Sequence, residues 1–126
     1  RGGVEVFPKN PVDFGIRSIT VGPSDPNFVT IRNAGVASVN FGAGGIRITG
    51  RDASDFRFSP APETTPIEAG QFRFVAITFF PLTIGPKQAL LEISTDDPEE
   101  PVITVPLYGT AVFFARAGVK DWRAYR

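Results

Sequence analysis

Residues 91–111 constrain the fold more than any other stretch of this chain. Leu91-Glu92-Ile93-Ser94-Thr95 and Val102-Ile103-Thr104-Val105-Pro106-Leu107-Tyr108 alternate apolar with polar side chains on either side of Asp96-Asp97-Pro98. A period of two belongs to an extended strand with one buried face, because successive side chains point to opposite sides of a sheet. The acidic segment between them ends in a proline that cannot donate to a ladder, so the two runs are read as consecutive strands joined by a turn. The same texture runs through the rest of the chain. Thirteen glycines and 12 prolines are scattered between short β-branched and aromatic runs, which punctuates strands and denies room for helices. The fold class is therefore all-β, a sandwich of seven to nine mostly antiparallel strands.

The alternating runs fall at 4–7, 12–15, 16–21, 28–32, 38–41, 46–48, 56–58, 72–80, 87–95 and 102–111. Asn33-Ala34-Gly35 tolerates positive φ and is read as the turn of a hairpin between 28–32 and 38–41. The inward set is expected to be Phe14, Val29, Ile31, Val39, Phe41, Val75, Ile77, Phe79, Ala89, Leu91, Ile93, Ile103, Val105 and Leu107. Each large member contributes about 1.5–3 kcal/mol when buried. Gly42-Ala43-Gly44-Gly45 lacks the Lys-Ser/Thr and the following helix of a phosphate loop, and reads as a flexible connection between strands.

A length of 126 residues suits one domain. Residues 1–112 are assigned to the sandwich. Residues 113–126 leave the alternating pattern and are assigned to a C-terminal extension, a linker or docking arm. Lys plus Arg and Asp plus Glu are both 13, so no net field favours nucleic acid or an anionic membrane. No apolar run approaches the roughly 18 residues of a membrane-spanning helix, so no membrane insertion is expected. Without His or Cys, nucleophile triads and the usual zinc sites are impossible. The absence of Met suggests that Arg1 is a processed end or the start of an excised segment of a longer chain.

Taken in order, Val12-Asp13-Phe14-Gly15, Val29-Thr30-Ile31-Arg32-Asn33-Ala34-Gly35, Phe56, Ile67-Glu68-Ala69-Gly70, Thr78-Phe79-Phe80-Pro81, Ile93-Ser94-Thr95-Asp96-Asp97-Pro98 and Leu107-Tyr108-Gly109-Thr110-Ala111 resemble the ASH (abnormal spindle/Hydin) immunoglobulin-like family. The likeness is greatest to its bacterial members, the choice-of-anchor D modules, and covers residues 4–112. The resemblance implies an immunoglobulin-like sandwich used for scaffolding and docking, with no shared catalytic residues. It implies structural turn roles for Asn33 and Gly35, after the second strand, and for Asp96, Asp97 and Pro98, before the last.

Carboxylate chemistry is the surviving enzymatic alternative, through Asp52 and Asp55 or through the Asp96 loop, and it needs a cleft. Solvated turn residues are the preferred reading. Asp96, Asp97 and Glu99 are weak calcium candidates, since a hard cation wants six to eight oxygens but no Asp-x-Asp-x-Asp-Gly spacing is present. No cofactor is implied. The outward positions are more suggestive. If Val75, Ile77 and Phe79 point inward, Phe74 and Phe80 point out, and Phe28 points away from Val29 and Ile31. In an immunoglobulin-like sandwich these strands share a sheet, so Phe28, Phe74 and Phe80 are expected to form an apolar patch, unless loops or Phe113 and Phe114 cover it. Leu90 and Tyr108 are expected to form a smaller one on the other sheet, and Trp122 and Tyr125 add aromatic rings to the arm.

The functional expectation is a non-enzymatic structural or interaction module. Its partner is protein, either copies of itself or adjacent domains, in a bacterial surface, fibre or virion assembly. The alternative is a carbohydrate- or ligand-binding accessory module of a secreted multidomain protein, stacking sugars on Tyr108 or Trp122. An extracellular or cell-surface location is expected, with a cytoplasmic scaffold as the other possibility.

Overall fold

The computed structural model describes residues 3–8, 11–99 and 101–113. Eight strands follow one another among them: β1 (Val4–Phe7), β2 (Val12–Ser18), β3 (Asn27–Asn33), β4 (Phe41–Thr49), β5 (Phe56–Phe58), β6 (Phe72–Phe79), β7 (Gly85–Thr95) and β8 (Val102–Val112), with a single 3-10 turn at Ala53–Asp55 before β5. They form two four-stranded sheets, β1-β3-β6-β5 and β2-β8-β7-β4. All pairings are antiparallel except that of β2 with β8.

The layers form because each long strand alternates. On β7, Ala89, Leu91 and Ile93 point inward, and on β8 Ile103, Val105 and Leu107 do the same. Val29, Ile31, Val75, Ile77 and Phe79 face them from the other sheet, all fully buried. Of the expected inward set, Phe14 and Phe41 are only half-buried and pack against the rim of this core. Val4, Val6, Val12, Ile46, Phe56 and Ile67 join it. At one end Phe56 stacks on Phe79 at 5.0 Å between ring centroids, and Phe14 closes the cluster 5.6 Å from Phe56. Gly109, on β8, lies against this ring: a Cβ built there would sit 2.5 Å from Phe79 Cε2 and 2.7 Å from Cζ. A side chain at that position would hold the sheets apart.

Two expectations about connections are corrected. Residues 28–32 and 38–41 do not form a hairpin. β3 takes β1 and β6 as its neighbours, Val39 makes one isolated bridge to Ile67, and Phe41 crosses to the opposite sheet, where it pairs with Thr95. Asn33 explains why a turn signal is nonetheless present. Its side chain is buried, its Nδ2 donates to Ala37 O at 2.7 Å and Ile67 O at 2.8 Å, and its Oδ1 accepts from Gly35 N at 3.0 Å. It anchors a crossing between sheets rather than a reversal within one. Residues 42–45 lie inside β4 rather than between strands, where they form a bulge: the register slips between Phe41 and Ile46, and Gly44 and Gly45 take positive φ of 87° and 53°.

Candidate docking surface

The outer face of the β1-β3-β6-β5 sheet follows from register. Glu5 on β1 lies beside Arg32 on β3, which lies beside Phe72 on β6; one row on, Phe7, Thr30 and Phe74 are neighbours; in the next row Phe28 faces Ala76. Val6, Ile31, Val29 and Val75 alternate with these positions and point inward. The result is four phenylalanines on one face of one sheet, Phe7 46%, Phe28 58%, Phe72 50% and Phe74 64% exposed. Phe72 and Phe74 hold their rings parallel, 4° between ring planes and 6.4 Å between centroids. Arg32 donates to Glu5 at 3.1 Å, and its guanidinium stands 5.9 Å from the centre of the Phe72 ring. The two charges at this edge of the patch are thus already paired with each other.

Phe28 and Phe74 are where the alternation puts them, and no described loop covers them. Phe80 is corrected: it lies past the end of β6, half-buried, with the Arg57 guanidinium 4.5 Å from its ring centre, and Ala76 and Thr78 stand between it and Phe74 along the chain. Phe7 and Phe72 were missed, although the signal was available. Phe7 is out of phase with Val4 and Val6, and Phe72 is two residues from Phe74.

The other outer face carries no exposed phenylalanine among the residues of its strands. Leu90 lies opposite Pro106 and Tyr108 opposite Gln88, both apolar side chains partly exposed. Tyr108 borders a groove of about 290 Å³ lined with Asp13, Arg51, Gln88 and Thr110. Phe113 is exposed at the end of β8. Phe114, Trp122 and Tyr125, and with them the rest of the arm, lie outside the described residues.

The acidic loops work as ties. Asp96, between β7 and β8, accepts the backbone N–H of Asn40 at 3.0 Å and its Nδ2 at 2.8 Å. Asp97 is buried; its Oδ2 accepts from Val4 N at 3.2 Å, linking β1 to the opposite sheet, and its Oδ1 accepts from Glu99 N at 2.9 Å. The oxygens that a cation would need are turned to N–H donors, and among the described residues no cluster of acidic or other ligating side chains suits a metal ion. The Asn40 side chain, followed by its backbone N–H, holds the Asp96 carboxyl below its ordinary pKa. A depressed carboxyl stabilises the fold above its unfolded value of about 3.9 and loses that contribution as pH falls through the lower folded value. Asp96→Asn is therefore expected to lower the melting temperature at pH 7, and the gap to wild type should close below about pH 4. A gap that stayed constant across a pH series of melts would contradict this role.

Asp52 and Asp55 sit in one turn, Asp55 N donating to Asp52 O at 3.0 Å, and each carboxylate has its own partners. Burial would raise the Asp52 carboxyl, but the Gln88 N–H and the Arg51 guanidinium, each 2.9 Å away, outweigh it and hold the group below its ordinary value. Asp55 is buried, with its Oδ2 3.5 Å from Lys87 Nζ, and Lys87 also donates to Thr83 Oγ1 at 2.6 Å. One carboxylate is tied to the backbone and the other neutralised, which is an arrangement for structure.

Among solved structures, the ASH/PapD-like domain of human CEP192 (PapD-like domain 7) superposes with a TM-score of 0.64 over 90% of this chain and 88% of that one, at 20% identity. The fold is an ASH/PapD-like immunoglobulin sandwich. The same sandwich is found in the secreted serine protease VesC from Vibrio cholerae, with a TM-score of 0.61 and 18% identity over 97% of this chain, and in the YadV chaperone, with 0.59 and 11% over 86%. This chain spans 26% of VesC and 51% of YadV, so the ASH/PapD-like sandwich recurs as one part of longer proteins. No family model matches the sequence, and neither does any curated protein. No helix among the described residues is long and apolar enough to cross a membrane.

Proposed function

We propose that this chain is a non-enzymatic protein-interaction module of the bacterial choice-of-anchor D type, serving a surface, fibre or virion assembly outside the cell. Its docking surface is the outer face of the β1-β3-β6-β5 sheet. The observation that carries the reading is the set of four half-exposed phenylalanines that strand register gathers within three neighbouring rows of that face. An exposed cluster of aromatic side chains on one sheet face is a common mark of a surface that meets a partner. Aromatic rings with a polar rim are what the centre of a protein interface requires. ASH and PapD-like chaperone sandwiches among the structural neighbours support a binding role for this fold.

A photo-cross-linking side chain placed at Thr30, between Phe7 and Phe74, tests it in the parent assembly. Protein adducts are expected from position 30 and none from Thr104 on the opposite outer face. Adducts from 104 and none from 30 would overturn the assignment of the face.

A further inference from the structure

We infer that the partner of the phenylalanine face is a second copy of this chain, packed face to face; the inference rests on the docking reading above. Three observations select this occupant. The first is charge. Glu5 and Arg32 at the edge of the patch satisfy each other at 3.1 Å, and Thr30 at its centre is neutral. A partner of opposite charge has nothing to pair with in the middle of this surface, whereas an apolar, internally neutralised face leaves no charge stranded when buried, and the chain's own face is of that kind.

The second is shape. Phe72 and Phe74 stand with parallel rings on the outer face of a sheet, and one sheet face packs well on another. Two copies of one such face can meet about a two-fold axis, as an isologous interface requires. The third is size. Four phenylalanines exposed by 46–64% present on the order of 400 Å² of aromatic surface, taking about 200 Å² per side chain. That is the right size for the apolar centre of an interface burying about 800 Å² per partner, with Glu5, Arg32 and Arg57 left to its rim.

Sedimentation of the purified 126-residue chain over a range of concentrations tests the inference. A monomer–dimer equilibrium is expected at micromolar concentrations. Phe28→Ser with Phe74→Ser should weaken it by about a hundredfold or more, since aromatic anchors at an interface centre dominate affinity. Thr30→Arg, which removes no ring but sets two like charges against each other across the two-fold, should do the same while the circular dichroism spectrum stays unchanged. A wild-type chain that remains monomeric throughout overturns the inference, whether the face is then taken by another protein or by residues 114–126 of the same chain. In that case adducts from position 30 to a different protein would leave the docking reading standing. Dimers that survive both variants would also overturn it, by placing the contact elsewhere.

Discussion

Phe79→Ala is expected to lower the unfolding free energy by about 3–5 kcal/mol, read from the shift in a urea or guanidinium transition. Phe79 is fully buried at the end of β6, stacked on Phe56 and 5.9 Å from Phe14. Its ring also fills the space over Gly109, where β8 approaches without a side chain. Truncation would therefore open a cavity bounded by the backbone of a central strand, and that backbone has little freedom to collapse into it. The destabilisation should lie toward the upper end for this reason. A loss below about 1 kcal/mol would mean that the two sheets close over the gap, and that Gly109 is not a fixed contact between layers.

Lys87→Ala should be comparably damaging, by about 3–5 kcal/mol, because it leaves the buried Asp55 carboxylate without its counter-charge. Lys87 stands in the inward row of β7, two residues before Ala89, and its side chain is 8% exposed against 10% for that of Asp55. The pair joins β7 to the turn that precedes β5, where Leu82 N donates to the Asp55 carboxylate and Phe80 N donates to the Asp55 carbonyl. Replacing both partners by neutral groups, Lys87→Met with Asp55→Asn, should recover much of the loss, since the penalty comes from an unpaired charge. If the double variant were as unstable as the sum of the two single ones, the pair would not be coupled.

What could be read in advance divides along the range of the forces involved. Alternation in 72–80, 87–95 and 102–111 identifies β6, β7 and β8 and their inward faces, because a period of two is a local property of the chain. The Asn33-Ala34-Gly35 turn was equally legible as a turn, yet its destination was not. The acceptor that determines the path, Ile67 O, lies 34 residues away, and nothing near Asn33 says that Phe41 will join the other sheet. Residues 42–45 look like a connection because glycine usually marks one, whereas here their freedom of φ absorbs a bulge inside β4. Lys87 is a charged residue in an apolar row, which signals a partner without naming Asp55. Gly109 belongs to the stretch that carries the ASH resemblance, but its reason, the Phe79 ring from the opposite sheet, exists only in three dimensions. On the docking face, strand phase alone placed Phe28 and Phe74. Applying the same rule to β1 and to the start of β6 would have added Phe7 and Phe72, while Phe80 fails because it lies past the ladder and under Arg57.

A docking role requires that the phenylalanines of the β1-β3-β6-β5 outer face contribute to binding and not to folding. The most direct measurement is the equilibrium stability of Phe28→Ser with Phe74→Ser, taken at a concentration dilute enough to leave the wild-type chain monomeric. Both rings are more than half exposed, so the unfolding free energy should stay within about 1 kcal/mol of wild type. A loss approaching that of Phe79→Ala would contradict the account, because it would show that these rings are covered within the monomer and belong to its core.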